Sequence, residues 1–278
     1  MPVGERAPIM ARVNPSPRSC QLFVPIFLLL GACNARPPLL IAHRGNSSAA
    51  PENTLAAVRS AVALDPAPDL CEIDVHRSAD GELVVIHDDT LERTAGAAGR
   101  VADLTLAELR RHPVGFAERF GERFAEEPLP VLGEVLTLLE DTDTDLMIEI
   151  KVRGVGGEIA RLLAERGELD RHLIASFDPG VVVDASMAVA SVRTLLLRGE
   201  STPEELELAR RIGADVVGVS ARSLTRRAVG RAHDSGLELW VYTVNDPDRA
   251  EELLDWGVDG LISDHPARMR ALPPLAPR

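Results

Sequence analysis

Acidic side chains within two short apolar runs are the first candidates for chemistry. Glu72 and Asp74 alternate with apolar residues in one run, and Glu149 has the same kind of setting in a later one. Because strand side chains alternate between faces, Glu72 and Asp74 share a face, with His76 next in line. Three converging carboxylates invite a divalent cation, and an all-oxygen set suits Mg²⁺, Ca²⁺ or Mn²⁺ rather than zinc. The alternative is ordinary surface carboxylates. His76 could be a fourth ligand or could support the ligands, but we expect it to be a solvated rim residue.

Lysine and tyrosine each occur only once in the chain, and each lies in or next to an apolar run. Lys151 is the single lysine among the 30 basic residues, and it shares a strand face with Glu149. A compact ammonium fits where a planar guanidinium would clash, which favours a functional role over chance. Tyr242, the single tyrosine, shares a face with Trp240. Its ring could equally contact a ligand or fill a barrel core.

An alternation of strands and helices supplies the framework that must position these side chains. Eight apolar, β-branched runs predict strands at 39–43, 70–75, 146–150, 173–177, 193–197, 215–219, 237–244 and 260–263. Amphipathic segments between them predict helices, most clearly at 54–64, 158–166, 203–212, 225–234 and 247–256. Such alternation indicates a parallel α/β fold. Eight βα units in about 240 residues favour a TIM (β/α)8 barrel, which needs roughly 250 residues, over an open sheet.

The run 83–87 departs from this alternation. Only the short stretch 78–81 separates it from the second strand, which is too little for a parallel crossover and predicts an antiparallel hairpin. The segment that follows, about 88–127, predicts an insertion after the second strand with one helix at Thr105–Arg111. Insertions on barrel loops lie over the active-site face, so an exposed apolar rim here would favour lipid substrates.

Residues 1–33 have the composition of an export signal. Three arginines and one glutamate precede an apolar run at 22–30, which is much shorter than the roughly 20 residues of a membrane-spanning helix. The small residues Gly31 and Ala32 before Cys33 resemble a bacterial lipoprotein processing site. That resemblance implies cleavage before Cys33 and lipid on its sulfur. We therefore expect an exported, membrane-anchored lipoprotein of the bacterial cell envelope, with plain secretion as the alternative.

Charge and cysteine content narrow the function classes further. The formal net charge of −13 at pH 7 argues against nucleic-acid binding, which needs a basic face. If Cys33 carries lipid, Cys71 has no partner in the mature chain, and no disulfide framework is expected. Cys71 opens an apolar strand, so we expect it in the core.

A series of short motifs runs through the chain in a fixed order. They are Ala42-His43-Arg44-Gly45, Pro51-Glu52-Asn53-Thr54, Glu72-Ile73-Asp74-Val75, Asp80-Gly81, Val84-Val85-Ile86-His87-Asp88, Leu91-x-Arg93-Thr94, Pro130-x-Leu132-x-Glu134-Val135-Leu136, Ile148-Glu149-Ile150-Lys151, Ser176-Phe177-Asp178, Tyr242-Thr243-Val244-Asn245 and Gly257-Val258-Asp259-Gly260. Each motif is weak alone, but HRG, PENT, E-x-D, HD and E-x-K in this order are highly specific. Together they resemble the glycerophosphodiester phosphodiesterases over roughly 39–266. The resemblance implies a TIM barrel, with the domain at 38–272.

The resemblance also implies how the cation and the protons are handled. Glu72, Asp74 and Glu149 would ligate one divalent cation, Mg²⁺ or Ca²⁺. His43 and His87 would be the general acid and base. Two imidazoles that titrate near neutrality suit these roles.

Four more residues receive roles from the resemblance. Arg44 and Lys151 would hold phosphate oxygens. Glu52 would lie near the site, or could equally shape the start of the helix that Asn53 or Thr54 caps. Tyr242 stands where the family often has tryptophan and would contact the alcohol of the substrate.

We therefore expect metal-dependent hydrolysis of glycerophosphodiesters to sn-glycerol 3-phosphate and an alcohol, by histidine acid/base catalysis. The expected partners are a small-molecule phosphodiester and, through the lipid anchor, a membrane. One alternative is a related phosphodiesterase that acts on lysophospholipids, of the lysophospholipase D type, or on envelope glycerophosphate polymers. A second is a non-catalytic surface-binding lipoprotein.

Overall fold

The computed structural model describes residues 37–275. The predicted signal segment, 1–33, and the lipidation site Cys33 lie outside the described residues. The strands within the described range are β1 (Leu39–Ala42), β2 (Leu70–Arg77), β3 (Leu83–Val85), β4 (Asp145–Ile150), β5 (His172–Ser176), β6 (Arg193–Arg198), β7 (Val216–Ser220), β8 (Glu238–Tyr242) and β9 (Gly260–Ser263).

Helices follow most of these strands. They are α1 (Leu55–Val62), α2 (Glu92–Ala95), α3 (Leu106–Leu109), α4 (Ala117–Phe120), α5 (Leu132–Leu139), α6 (Gly156–Arg166), α7 (Pro179–Ala188), α8 (Pro203–Arg211), α9 (Arg226–Asp234), α10 (Pro247–Asp255) and α11 (Pro266–Arg270). Between Pro37 and Leu275, none of them combines the length and the apolar character that crossing a bilayer requires.

Eight of the strands close a parallel barrel. The ladder runs β1–β2–β4–β5–β6–β7–β8–β9, and β9 pairs with β1 again. The register of β2 against β4 sets Asp74 opposite Glu149. The predicted TIM barrel is therefore confirmed, and its helices pack on the outside.

Strand β3 lies outside this parallel order and forms the predicted antiparallel hairpin with β2. Val75 pairs with Val85, and His76 pairs with Val84. The strand ends at Val85, so His87 stands beyond the sheet, at the mouth of the barrel. The segment 88–127 then contains three short helices, α2, α3 and α4, where the sequence predicted one. Thr105 begins α3 with a capping box that also uses Glu108.

Side chains of β2 alternate between two environments. Leu70 belongs to the apolar cluster inside the barrel, together with Met147 and Trp240. Cys71 and Ile73 belong to the cluster between strands and helices. This confirms Cys71 as a core residue, and burial raises the pKa of its thiol to about 12. The alternation leaves Glu72 and Asp74 on the interior face, above the apolar layer.

Candidate active site

A cavity of about 220 Å³ lies at the carboxyl ends of the barrel strands. The charged part of its lining is His43, Arg44, Glu72, His87, Glu149 and Lys151. The apolar part is Met147, Phe177, Leu197, Tyr242 and Ile262. A larger cavity of about 510 Å³ lies at the opposite end of the barrel. Active sites of TIM barrels lie at the carboxyl ends, so the smaller cavity is the candidate.

Three carboxylates meet beneath this cavity. Glu72, Asp74 and Glu149 each place one oxygen within 4.8 Å of the others, and all three are buried. Glu72 Oε1 is a buried acceptor with no hydrogen-bond partner among the described residues. Burial and the neighbouring charge of Asp74 raise the pKa of Glu72 to about 8. These carboxylates offer only oxygen ligands, their charges repel one another, and one oxygen lacks a hydrogen-bond partner within the described range. Such a cluster fits a divalent cation.

Two cations of the chain face these carboxylates. The Lys151 ammonium lies 2.9 Å from Asp74 Oδ1 and also contacts Glu149. Arg44 Nε lies 3.2 Å from Asp74 Oδ2. Burial alone would raise the pKa of Asp74, but Lys151 and Arg44 lower it to about 2. The sequence prediction that Lys151 shares a face with Glu149 is confirmed.

The loop after β1 sets the position of Arg44. Its backbone has a φ of 55°, and its N–H donates to Glu72 Oε2 at 2.8 Å. Gly45 follows with a φ of 76°, and a Cβ there would stand 2.7 Å from the backbone carbon of Ala57 in α1. Glycine is therefore required at position 45 for the loop to pass so close to the helix. This close passage keeps Arg44 above the carboxylates.

Asn53 clamps the candidate ligand Asp74 from the same loop. Its side-chain N–H donates to Asp74 Oδ2 at 2.7 Å, and its Oδ1 accepts from the Asp74 backbone N–H at 3.0 Å. Thr54, not Asn53, caps α1 by accepting from Ala57 N–H. Sequence reasoning considered Asn53 only as a helix cap, because a clamp on a residue 21 positions away leaves no local signal.

The two predicted catalytic histidines each pair with an aspartate through Nδ1. His43 Nδ1 lies 2.6 Å from Asp264 Oδ1, and His87 Nδ1 lies 2.7 Å from Asp88 Oδ1. A carboxylate at Nδ1 favours the tautomer in which Nδ1 carries the proton and Nε2 is free to accept one. Asp264 is held in turn by Asn245 at 2.6 Å.

The environments of the two histidines shift their pKa values in opposite directions. Burial alone would lower the pKa of His43, but Asp264 and Glu72 raise it above its ordinary value. Burial lowers the pKa of His87, and the nearby Arg44 adds to that effect. One ring that holds a proton and one that releases it are the pair that acid/base chemistry needs.

Comparison with known proteins identifies the family. The sequence model of the glycerophosphoryl diester phosphodiesterase family matches residues 43–268. This chain belongs to that family. As a glycerophosphoryl diester phosphodiesterase family member, it is a phosphoric diester hydrolase.

Relatives of this phosphodiesterase are similar over nearly the whole domain. A glycerophosphodiester phosphodiesterase of Caldanaerobacter subterraneus subsp. tengcongensis is 34% identical over 233 residues, which cover 82% of this chain and 94% of the relative. A solved phosphodiesterase of Oleispira antarctica, in complex with the product sn-glycerol-3-phosphate, is 27% identical with a TM-score of 0.75. That match covers 84% of this chain and 96% of the other.

The remaining predicted residues of the phosphodiesterase lie around the cavity. Glu52 is buried and accepts from Arg44 Nη1 at 2.7 Å, so it lies directly behind the site. Tyr242 lines the cavity with its ring, while its hydroxyl donates to the Arg198 backbone oxygen at 2.9 Å. The same ring also packs against the barrel core, which confirms the core interpretation, and contact with a ligand stays a prediction.

Phe177 is a cavity residue that sequence reasoning assigned no role. Its ring packs edge-on against Tyr242 with 5.9 Å between centroids, and 45% of the residue is exposed. The signal for it was its position directly after β5, where a side chain at a strand end faces the site.

The expectation for His76 was wrong. His76 is buried, with 7% exposure, and its Nε2 lies 3.1 Å from the backbone oxygen of His87. The hairpin explains the difference, because β3 and the residues after it cover the end of β2. His76 therefore supports the loop that carries His87.

Proposed function

We propose that this enzyme hydrolyses glycerophosphodiesters to sn-glycerol 3-phosphate and an alcohol, with a divalent cation held by Glu72, Asp74 and Glu149. The observation that carries the proposal is the meeting, in one cavity, of a buried carboxylate cluster with two aspartate-paired histidines. The product in the Oleispira antarctica structure and the name of the Caldanaerobacter relative support the same substrate class.

Charge neutralisation is the first task at such a site. A phosphodiester anion repels nucleophiles, and Arg44 and Lys151 would hold its oxygens as charge builds in the transition state. When bound, Mg²⁺ or Ca²⁺ would supply further neutralisation at the phosphate. The carboxylates suit either ion, because all of their donors are oxygens.

Proton transfer is the second task. The attacking hydroxyl must lose a proton and the leaving alkoxide must gain one. His87, whose pKa burial lowers, suits the initial base, and His43, whose pKa is raised, suits the acid. Each such transfer is typically worth about 10²–10⁴-fold in rate.

The surface of the segment 88–127 supports a water-soluble diester as the substrate. The exposed large hydrophobic side chains of the described residues are Phe177, Val183 and Met187, and none of them lies in 88–127. In that segment, Arg119 and Arg123 cover the rings of Phe120 and Phe124. Exposed apolar side chains in this segment would have favoured lysophospholipids, so their absence from 88–127 supports water-soluble glycerophosphodiesters.

The alcohol group of the substrate would meet the apolar part of the cavity. Phe177, Leu197 and Tyr242 lie together there, opposite the charged residues. This division lets the phosphate and the head group bind in distinct halves of one cavity.

Membrane anchoring is a separate part of the proposal. We propose that Cys33 carries lipid and that residues 1–32 are removed, on the strength of the small residues before Cys33 and the apolar run that precedes them. Intact-mass measurement of the protein from bacterial membranes would show the loss of the segment and the added acyl mass. An unmodified Cys33 would contradict this part alone.

The test of the proposed reaction is the identity of its products. The purified enzyme, supplied with Mg²⁺ or Ca²⁺, should cleave glycerophosphocholine to sn-glycerol 3-phosphate and choline. Phosphorus NMR identifies the phosphate-bearing product. His87→Ala should lower the rate at least about 100-fold, because it removes a proton-transfer group. His233→Ala changes an exposed histidine on α9 and should keep the full rate. Release of phosphocholine, or an equal rate in both variants, would contradict the proposal.

A further inference from the structure

Arg93 connects two loops of the site that are far apart in the sequence. It lies in α2, the first helix of the segment 88–127. Its guanidinium donates to Glu52 at 2.7 and 2.8 Å and to Asp88 at 2.6 and 3.2 Å. One planar side chain thus bridges two carboxylates that come from different loops.

Each of these carboxylates holds a residue of the cavity. Asp88 accepts from Nδ1 of His87 at 2.7 Å. Glu52 accepts from Nη1 of Arg44 at 2.7 Å. Arg93 therefore stands behind both, and contacts neither His87 nor Arg44 directly by hydrogen bond in the described network.

We propose that Arg93 is a positioning residue, which fixes the ring orientation and tautomer of His87 through Asp88 and the guanidinium of Arg44 through Glu52. The proposal rests on the proposed function only in that His87 and Arg44 are taken to act on the diester. It gives the segment 88–127 a role in assembling the site.

The contacts require arginine at this position. A guanidinium presents five N–H groups in a rigid plane, which suits two carboxylates at once, whereas an ammonium is a point donor. The Phe116 ring lies 5.6 Å from the guanidinium carbon and supports its face. Asp88 is 27% exposed, so without Arg93 its carboxylate could turn to solvent and release His87.

Charge keeps the bridge intact near neutral pH. Hydrogen bonds from Arg93 and His87 outweigh burial and lower the pKa of Asp88 to about 2. Arg93 and Arg44 likewise lower the pKa of Glu52 against the effect of burial. Both acceptors are therefore anionic whenever the enzyme works near neutrality.

The first test compares Arg93→Lys with Arg100→Lys. Arg100 lies in the same segment and pairs with Asp89 at the surface, so it is a matched control. We expect Arg93→Lys to lower kcat for glycerophosphocholine about 10- to 100-fold. This is the usual effect of losing a residue that positions functional side chains without touching the substrate. The thermal midpoint should stay close to that of the control. Guanidinium added to Arg93→Ala should restore part of the lost rate.

The second test reads the tautomer of His87 by ¹⁵N NMR, with His87→Gln assigning the signals. We expect Nδ1 to carry the proton in the parent protein, and both tautomers to be populated in Arg93→Lys. An unchanged tautomer together with an unchanged kcat would overturn the proposal. So would a loss of activity that accompanies general unfolding and shows no guanidinium rescue. If the parent protein did not cleave glycerophosphocholine, the proposed function would fail, and the NMR comparison would still decide the role of Arg93.

Discussion

The Lys151 ammonium and a divalent cation would compete for the same carboxylates. Its ammonium contacts Asp74 and Glu149, two of the three candidate cation ligands. A divalent cation at these carboxylates would take over that pairing and leave the ammonium free for a phosphate oxygen. The same contacts explain why a lysine suits this position in a chain whose other basic residues are arginines.

The first prediction concerns this competition. In the absence of substrate, Lys151→Met should bind Mg²⁺ or Ca²⁺ about tenfold more tightly, equivalent to about 1.4 kcal/mol. The reason is that the carboxylates lose their internal counter-charge. Titration calorimetry measures the Kd of the variant and of the parent protein. Weaker cation binding by Lys151→Met would show that the ammonium does not occupy the cation's place.

Some residues of the site could be predicted from the sequence, and others could not. Glu72, Asp74, Glu149 and Lys151 were predictable, because a period of two puts them on one face of neighbouring strands. The Asp264 partner of His43 was not, since 221 residues separate the two. Only the closed barrel brings the last strand beside the first.

At the scale of elements, the loop after β1 depends on one glycine. We predict that Gly45→Ala lowers the free energy of unfolding by about 1–3 kcal/mol more than Gly167→Ala does. Both glycines have a positive φ, 76° and 71°, but only Gly45 meets a neighbour, the backbone of Ala57. The difference between the variants therefore isolates the clash with α1. Urea unfolding measures it, and equal losses would contradict the account.

Strand β5 carries a buried histidine that links stability to pH. His172 Nδ1 accepts from the Leu146 backbone N–H at 3.1 Å, and burial lowers its pKa to about 4. The unfolded chain takes up a proton near pH 6.5, and the folded chain only near pH 4. The contribution of neutral His172 to stability is therefore fully present above about pH 6.5 and is lost as the pH falls toward 4.

We predict that His172→Asn reduces this loss, because an amide oxygen can replace the acceptor and does not titrate. Urea unfolding at pH 7 and at pH 4.5 should show a smaller drop in stability for the variant than for the parent. His112→Asn, at a half-buried histidine, serves as the control and should keep the parental drop. An equal drop in His172→Asn and the parent would exclude His172 as its source.

Strands were easier to predict than helices in this chain. The apolar, β-branched runs marked all eight barrel strands within a few residues. Helix α7 was not among the clear predictions, because its sequence PGVVVDASMA has three successive valines and no amphipathic period. Tertiary contact decides its structure, since Gly156 of α6 lets the two helices approach closely. A Cβ on that glycine would stand 2.5 Å from the Val181 backbone oxygen.

At the scale of the whole molecule, the candidate site residues all belong to the barrel domain and its loops. Its residues run from His43 to Asp264, and the lipid proposed at Cys33 lies outside that range. We therefore predict that Cys33→Ser releases the protein from membranes and leaves kcat/KM for soluble glycerophosphocholine unchanged. Membrane fractionation and a soluble-substrate assay measure the two effects. A loss of activity with this variant would mean that the anchor contributes to catalysis.

The central claim is that the buried carboxylate cluster holds a divalent cation that cleavage requires. The most direct measurement is the rate of sn-glycerol 3-phosphate release by the parent enzyme and by Glu149→Gln, each with EDTA, Mg²⁺ or Ca²⁺. We predict no release in EDTA, recovery with one of the two ions, and a much higher ion requirement in Glu149→Gln. Full activity of the parent enzyme in EDTA, after exhaustive removal of metal, would contradict the account.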